Sequence, residues 1–388
     1  MQIKESTPFG GGGGLYIHIP FCKQACHYCD FHFSTQMGKK EAMVTALAKE
    51  IRLRKNEFEN DIVETIYFGG GTPSVLTALE IEFLITKVYE NYSVIDNPEI
   101  TLEANPDDLS NNKIIELAKS SINRLSIGVQ SFFEEDLKLM NRSHSAKQAI
   151  DSLSVATRYF NNISIDLIYG MPNMTNERWR QNIEKAISFQ IPHISSYALT
   201  VEPNTALANF VKKGLVKPVA DEVAQDHFNI LNEVLSAAEY KCYEISNFAK
   251  SGHFSKNNSA YWQQKKYIGI GPSAHSFDGV RRGWNINNNP KYIKAIEANE
   301  LPMEVEVLSK TDKYNEYVMT GLRTIWGISI KKIASEFGEN YKEYLLQQAD
   351  KYITDHLLYL DGDTLCTTKK GKFLADGIAS DLFMLNLS

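Results

Sequence analysis

Residues 15–31, LYIHIPFCKQACHYCDF, place an apolar strand directly before three closely spaced cysteines. Cys22, Cys26 and Cys29 form a C-x3-C-x2-C spacing. A structural zinc site takes four ligands, and no second Cys or Cys/His knuckle follows here. Three cysteines cannot all pair as disulfides, and nothing marks the chain as secreted. The spacing therefore predicts a 4Fe-4S cluster on three thiolates, with the fourth iron open to a small ligand.

The same stretch resembles the radical S-adenosylmethionine enzymes, with an aromatic residue, Tyr28, just before the last cysteine. The resemblance implies that the open iron takes the amino and carboxylate groups of S-adenosylmethionine. It also implies that the reduced cluster cleaves the sulfonium bond of that ligand to give a 5'-deoxyadenosyl radical.

Length and composition are those of an ordinary globular protein with one barrel-sized domain and a smaller one. The chain has 388 residues, of which 43% are hydrophobic and 23% charged, as in typical soluble proteins. A net charge of -6 without a basic run argues against a general nucleic-acid binder. Cys242 and Cys366 are far apart and are predicted to be small buried hydrophobic residues. This cysteine use predicts a reducing, cytoplasmic environment.

Hydropathy indicates neither a membrane segment nor a leader. No run of about 18 apolar residues exists, so no membrane span is predicted, although peripheral membrane contact stays open. The N-terminus is too polar for a signal peptide. Residues 1–14, which end in five glycines, are predicted to be a flexible segment outside the fold.

From residue 15 onward, short β-branched or aromatic runs alternate with helical patterns, which indicates βα units around a parallel sheet. The predicted strands cover 15–19, 65–68, 99–104, 124–129, 164–168 and 193–199. Met43, Leu47 and Ile51 give the first helix an apolar stripe. Later helices have start signals, namely a Thr77 and Glu80 capping box and N-cap residues Ser110, Ser145 and Thr175. Six units cannot close an eight-stranded barrel, so we predict an α/β fold with an open, partial TIM-like barrel over residues 15–301.

Conspicuous polar residues follow the C-terminal ends of the predicted strands or lie late within them, which is the face where βα barrels form active sites. They are Cys22, the run 69–73 (GGGTP), Glu103, Gln130 and Asp166, and Ala198 ends the series. Each has an alternative interpretation. The glycines could form only a tight turn, and Glu103 could be a strand-end carboxylate facing solvent. Asp166 lies in an apolar run and therefore needs partners.

Further motifs narrow the resemblance to the oxygen-independent coproporphyrinogen oxidase group and its close relatives, the heme chaperones. The motifs are YIHIPFC at 16–22, GGGTPS at 69–74, GVQS at 128–131, Asn141-Arg142 and DLIYGMP at 166–172. The resemblance implies S-adenosylmethionine contacts by Tyr16, Gly70, Gly71, Thr72, Glu103, Gln130, Arg142, Asp166 and Ala198. In it, the glycine motif pairs backbone groups with the amino group of S-adenosylmethionine, and Glu103 holds the ribose hydroxyls. Without the neighbouring motif, Arg142 would be interpreted as a solvated surface cation.

Residues 241–277 are predicted to be irregular, with Tyr261 and Trp262 close to a glycine-rich run. This pattern suits either a packed loop or a flat ligand such as a porphyrin. The stretch resembles a His-Asn-x-x-Tyr-Trp motif of the heme chaperones, whose His is tied to heme, but Asn257 stands where that His would be. His253 or His275 could take its place, although either is more often a structural histidine.

Residues 302–388 are predicted to form a separate small domain. Helical patterns at 311–323, 330–337 and 341–354 precede two short strands around a glycine turn at 358–366. Helices followed by a hairpin resemble a winged helix. This example lacks a basic recognition face, and fold does not imply function, so we interpret it as a lid or docking module over the barrel mouth.

The sequence leaves three functions open. The first is a heme chaperone that binds the cluster, S-adenosylmethionine and heme and passes heme to an unidentified acceptor protein. The second is a radical decarboxylase of coproporphyrinogen, and the third is a radical enzyme that modifies RNA. The decarboxylase has a further Cys two positions after the third cluster Cys, whereas here Cys29 is followed by Asp30 and Phe31. This ending resembles the heme chaperones, and the chain offers no lysine-rich extension for RNA.

Overall fold

One twelve-stranded sheet organises the larger part of the chain in this computed structural model, which describes residues 12–58 and 61–385. Its strands are β1 (Gly12–Ile19), β2 (Ile62–Gly70), β3 (Val94–Ala104), β4 (Arg124–Gln130), β5 (Ile163–Tyr169), β6 (His193–Ala198), β7 (Lys241–Glu244), β8 (Asn247–Ala249), β9 (Tyr267–Ile270), β10 (His275–Phe277), β11 (Arg281–Asn285) and β12 (Met303–Val307). Their spatial order is β12-β11-β10-β9-β1-β2-β3-β4-β5-β6-β8-β7. Strands β1 to β6 are parallel neighbours in chain order. The two outer strands, β12 and β7, lie at opposite ends of that order, so the predicted open barrel of six βα units is confirmed.

Helices follow the parallel strands and cover the sheet. They are α1 (Lys40–Leu53), α2 (Ala78–Asn91), α3 (Asn111–Ala118), α4 (Glu134–Leu139), α5 (Ala146–Tyr159), α6 (Asn176–Ser188), α7 (Ala206–Lys212), α8 (Asp221–Ala237), α9 (Lys256–Trp262) and α10 (Asn289–Glu297). The predicted start signals are confirmed. Thr77 forms a capping box with Glu80. At the other three predicted N-caps, the side chain accepts a hydrogen bond from a backbone amide of the first turn; these residues are Ser110, Ser145 and Thr175. No helix in the described part of the chain is long and apolar enough to cross a membrane.

The alternation of side chains along β1 shows how the sheet separates its core from its interior. Leu15 and Ile17 are fully buried in the hydrophobic core, where Met43, Leu47 and Ile51 of α1 also lie. Because successive strand residues point to opposite faces, Tyr16 and His18 face the other way and line a cavity. The alternation along β1 therefore places Tyr16 and His18 on the inside of the barrel.

Strand β1 begins earlier than the sequence predicts. Gly12 already pairs with Ile62, so the prediction that residues 12–14 lie outside the fold is wrong; residues 1–11 lie outside the described residues. A Cβ on Gly12 would come within 2.5 Å of the Glu64 side chain, and one on Gly13 within 2.5 Å of the Lys266 carbonyl oxygen. The glycines therefore permit close strand packing there.

The prediction of irregular structure over 241–277 is also wrong. This region contains β7 to β10 and α9, and β9 pairs in parallel with β1. These strands have only three or four residues, too few for a periodic pattern to emerge. They extend the sheet on both sides of the six parallel strands.

A second hydrophobic core marks the C-terminal domain. Its elements are α11 (Lys310–Arg323), β13 (Ile328–Ser329), α12 (Ile330–Lys332), α13 (Glu339–Thr354), β14 (Leu358–Asp361), β15 (Thr364–Thr367) and α14 (Ala375–Asp381). The strands form a small sheet, β13-β15-β14, and Gly362 at φ 60° turns the chain between β14 and β15. Helices followed by this hairpin agree with the predicted winged-helix-like fold. The predicted helix at 330–337 is split into α12 and a π-helical turn at Ile333–Phe337. Because β12 pairs with β11, the domain boundary falls after Val307 and not at residue 302.

Candidate functional site

The three clustered cysteines lie on the loop that leaves β1. All three are free thiols and partly exposed. The Thr72 hydroxyl donates to the Cys22 sulfur at 3.3 Å, and Arg142 Nη1 donates to the Cys26 sulfur at 3.5 Å. Burial, with smaller effects from Cys29 and Cys26, raises the pKa of Cys22 to about 11. The thiol is therefore protonated at neutral pH, and a metal that binds it must displace the proton.

The donor set at this loop suits the predicted cluster. The triplet presents three thiols outside any disulfide, a hydroxyl donor to one sulfur and a guanidinium donor to another. Donors of this kind stabilise sulfur that carries negative charge. The residues therefore fit a group held by three thiolates.

The glycine run after β2 does more than turn the chain. Gly70 has φ 109°, a conformation that side chains rarely adopt, and a Cβ there would lie 2.6 Å from the His18 ring. The Gly71 amide donates to the Ile19 carbonyl oxygen at 2.9 Å, and a Cβ on Gly71 would lie 2.7 Å from the Phe21 carbonyl oxygen. The run therefore holds the end of β2 tightly against the end of β1 and the cysteine loop.

Glu103 points into the site from the end of β3. The Tyr67 hydroxyl donates to its Oε1 at 2.8 Å, and the Gly70 amide donates to its Oε2 at 3.2 Å. Burial raises the pKa of Glu103 to about 7, although the Tyr67 bond lowers it, and the charge of Asp166 raises it further. The alternative of a carboxylate simply facing solvent is wrong.

Arg142 lies beside the cysteine loop and is not a solvated surface cation. Its Nη2 donates to Asn105 Oδ1 at 2.7 Å and to the Gly128 carbonyl oxygen at 3.0 Å. Its Nη1 donates to the Tyr28 hydroxyl at 3.2 Å. The buried Nε has no hydrogen-bond partner among the described residues. Arg142 therefore links the cysteine loop to the ends of β3 and β4.

The remaining predicted residues lie on the next three strands. Gln130, at the end of β4, is buried with φ 65°, which is uncommon outside glycine. Asp166 lies in β5, where burial raises its pKa to about 6 against the opposing charges of Arg124 and Arg142. Ala198 ends β6. The strand order brings Gln130 and Ala198 to the same edge of the sheet as Glu103. Asp166 is the middle residue of β5 and is paired with Ser195 of β6.

A cavity of about 730 Å³ opens beside these strand ends. On one side it is lined by Tyr16, His18, Gly70 and Glu103. The opposite wall comes from α9, β9 to β11 and α11, and its residues include Tyr261, Trp262, Tyr267, His275, Phe277, Arg282, Glu316 and Met319. Gln130, Arg142, Asp166 and Ala198 do not line it, and neither do His253 and Asn257. Of the two histidines that the sequence offered, only His275 therefore faces the cavity.

Several residues of the site were not predicted from the sequence. Tyr67 holds Glu103 and Asn105 holds Arg142, while Arg282 and Glu316 meet in the cavity wall. The period of two on β2, which puts Tyr67 on the same face as Gly69, could have identified the first. The other contacts join residues far apart in the chain and leave no local signal.

The fold and the site define a radical S-adenosylmethionine protein. The family model of the radical SAM superfamily matches residues 16–186, and that of the HemN C-terminal domain matches residues 308–374. The second match begins just after β12, where the structure ends the larger domain.

Curated relatives are similar over nearly the whole chain. A protein from Lactococcus lactis named "Heme chaperone HemW" is 36% identical over 94% of this chain and 97% of its own length. The Bacillus subtilis protein of the same name is 33% identical, with the same coverage of both chains. The mouse protein named "Radical S-adenosyl methionine domain-containing protein 1, mitochondrial" is 32% identical over 81% of this chain and 74% of its own. The chain belongs to the HemW family.

A solved structure supports the architecture. Coproporphyrinogen III oxidase (HemN) from Escherichia coli, described as a radical SAM enzyme, superposes with a TM-score of 0.83 over 96% of this chain and 90% of its own. Its sequence identity is 22%, so this likeness shows the fold alone.

Proposed function

We propose that this protein is a heme chaperone, which binds a 4Fe-4S cluster, S-adenosylmethionine and heme and passes heme to another protein. Membership of the HemW family, at 36% identity to a relative named as a heme chaperone, supports this function. The observation that carries it is the cavity of about 730 Å³, which joins the strand ends to an aromatic wall. Its size is within the range of roughly 300–1,000 Å³ that small-molecule sites have.

Cys22, Cys26 and Cys29 would hold the cluster. When bound and reduced, the cluster supplies the electron that cleaves the sulfonium bond of S-adenosylmethionine. Thr72 and Arg142 act on the thiolates, since they donate hydrogen bonds to the sulfurs of Cys22 and Cys26. A guanidinium beside this loop also offsets part of its negative charge.

The strand ends would bind S-adenosylmethionine. Glu103 is already oriented by Tyr67 and the Gly70 amide, so its remaining lone pairs are available to ribose hydroxyls. Backbone groups of the glycine run, which ends at Thr72, would meet the amino group of the ligand, as the family resemblance implies. The further residues that we assign to this ligand are Tyr16, Tyr28, Thr72, Gln130, Arg142, Asp166 and Ala198.

The aromatic side of the cavity would take the heme, which is cargo and not a resident cofactor. A flat, apolar macrocycle buries well against aromatic rings. We expect the acceptor to be a heme-free protein in the cytoplasm or at the membrane surface.

Coproporphyrinogen decarboxylation is the less favoured function. Phe31 stands where that enzyme has its additional cysteine, and its side chain is 70% exposed. A phenyl ring cannot donate a hydrogen atom or ligate metal as a thiol does. The position therefore offers the oxidase reaction nothing that the cysteine would supply.

The deciding experiment uses the purified protein with its cluster reconstituted under anaerobic conditions. Titration with hemin should give saturable binding of one heme per chain. When the heme-loaded protein is mixed with a heme-free b-type cytochrome, heme should pass to the cytochrome at a rate that rises with cytochrome concentration. A second sample receives reductant, S-adenosylmethionine and coproporphyrinogen. Accumulation of protoporphyrinogen there, or absence of heme binding, would contradict the proposal.

A further inference from the structure

Three histidines line the cavity, and they differ in how far their ring nitrogens are committed. His18 Nε2 bonds the His32 carbonyl oxygen at 3.0 Å, and its Nδ1 meets the Tyr16 hydroxyl at 3.3 Å. His32 Nε2 bonds Asn289 Oδ1 at 2.7 Å. Within the described residues, the His275 ring makes no hydrogen bond and only contacts Trp284, with ring centroids 6.1 Å apart. His275 is therefore the histidine of the cavity with both ring nitrogens uncommitted.

The position that the heme-chaperone resemblance singles out cannot serve this cavity. Asn257 is 7% exposed, and its Oδ1 accepts from the Thr65 hydroxyl at 3.0 Å. Its backbone amide donates to Glu99 at 3.1 Å. The side chain at 257 is thus directed at the middle of β2 and does not line the cavity. A ligand for bound iron must come from elsewhere.

The surroundings of His275 suit a planar macrocycle. Tyr261 and Tyr267 stack with centroids 4.1 Å apart and an interplanar angle of 25°, and Phe277 follows at 6.2 Å from Tyr267. Trp262 lines the same cavity. Aromatic faces are what a large flat π-system packs against.

The charges near His275 suit the same ligand. Partial burial, with the charge of Arg282, lowers the pKa of His275 below its usual value of 6.5, so the imidazole is neutral at physiological pH and able to bind a metal. Arg282 is the one Lys or Arg among the described lining residues. Its guanidinium pairs with Glu316 at 2.5 Å and can meet the carboxylate of a heme propionate.

We infer that His275 is the axial ligand of heme iron in this cavity, with the macrocycle on the wall of Tyr261, Tyr267 and Phe277. The inference rests on the proposed function, since heme is the cargo only if that function holds. It adds which residue of this chain takes the place of the missing family histidine.

The test is hemin binding to the cluster-loaded protein, followed by optical spectroscopy and by EPR of the ferric heme. His275→Ala should raise the Kd at least about tenfold, as the loss of one coordinating interaction of about 1.4 kcal/mol or more requires. It should also change the heme EPR signal. In His275→Gly, added imidazole should restore the wild-type spectrum, which a merely structural role would not produce.

Two matched controls accompany these variants. His253→Ala removes a histidine outside the cavity lining, and Asn257→His restores the family residue at a position directed at Thr65; both should keep the wild-type heme spectrum. An unchanged spectrum and affinity in His275→Ala, or a new ligand signature in Asn257→His, would overturn the inference and leave the proposed function standing. Failure of the wild-type protein to bind hemin would instead contradict the proposed function itself.

Discussion

The two walls of the cavity differ in how completely their polar groups are bonded. On the strand-end wall, both oxygens of Glu103 accept hydrogen bonds, and both ring nitrogens of His18 have protein partners. On the hairpin wall, built by β9 to β11 with α9 and α11, the His275 ring has no hydrogen bond among the described residues. Arg282 on that wall is held by Glu316 of the C-terminal domain.

This difference indicates that the strand-end wall suits the cofactor, S-adenosylmethionine, and that the hairpin wall suits the cargo, heme. Groups that are already oriented suit a fixed cofactor, because little ordering remains to be done on binding. A wall shared with a second domain, with an uncommitted imidazole, suits a cargo that must enter and leave. If so, the two walls should respond independently to substitution.

The largest effect is expected for Cys26→Ala. Loss of one of three thiolate ligands should abolish the visible absorption of the cluster and the EPR signal of its reduced form. Because the cysteines are not part of the hairpin wall, hemin affinity should change by less than about threefold. Cys242→Ala, which alters a thiol elsewhere in the fold, is the control and should keep the cluster. Simultaneous loss of the cluster and of heme binding would show that the two walls do not bind their ligands independently.

Two glycine substitutions compare the rigidity of the walls. Gly70→Ala places a Cβ 2.6 Å from the His18 ring at φ 109°, so overpacking adds to backbone strain and should cost about 2–4 kcal/mol of unfolding free energy. Gly279, in the β10–β11 turn, has φ 91° but nothing within 4 Å of a Cβ. Gly279→Ala should therefore cost only about 1 kcal/mol. Urea unfolding of both variants measures the difference, and equal costs would contradict a tightly packed strand-end wall.

The contribution of Glu103 to the pH dependence of the unfolding free energy tests more directly whether the strand ends are buried. Its pKa is about 7 in the folded protein and near 4.5 unfolded, so the folded state holds the proton more tightly. The protein without S-adenosylmethionine should therefore lose stability as pH rises from about 4.5 through 7, by about 3 kcal/mol from this group.

Glu103→Gln removes that dependence and should be more stable than the wild type at pH 8 but not at pH 4.5. Urea titrations across this range measure the difference between the two proteins. Glu116→Gln, a change at an exposed carboxylate on α3, should show no such trend. A constant difference for Glu103→Gln would mean that its carboxylate is not desolvated.

The smallest effect is expected at the junction of the two domains. Glu316→Gln removes the closer of two carboxylates paired with Arg282 and leaves Glu306 at 3.9 Å. Arg282 then has more freedom to meet a heme propionate, so hemin should bind about two- to fivefold more tightly, as expected for a partly exposed ion pair. Glu339→Gln, which breaks the Glu339–Lys342 pair on α13, is the control. Weaker binding in Glu316→Gln would show that the carboxylate supports the heme rather than competing with it.

The parts of the fold that the sequence predicts are those with local signals. The six parallel strands, the Thr77 capping box and the glycine run each depend on residues close together in the chain. The strands that build the hairpin wall are short and pair with residues far away in sequence, so no periodicity indicates them. The start of β1 has no such signal, because consecutive glycines normally indicate flexibility, whereas here close packing requires them.

The same distinction between local and long-range signals applies to the residues of the candidate site. The cysteine triplet is a prediction from spacing alone, and its role as a cluster site stays a prediction until iron is measured. Arg142 had two interpretations because its partners, Tyr28 and Asn105, are 114 and 37 residues away. The choice between His253 and His275 depends on which one faces the cavity, and only the packing of β10 against β9 and β11 decides that.

Simultaneous binding of both ligands tests the central claim, that one cavity holds the cofactor on one wall and the cargo on the other. The cluster-loaded protein is titrated with hemin with and without saturating S-adenosylmethionine, and the heme absorption gives stoichiometry and affinity. We expect one heme per chain in both titrations, with Kd values that agree within about threefold, because such a difference is below the usual range of coupling between sites. Displacement of heme by S-adenosylmethionine would contradict the claim.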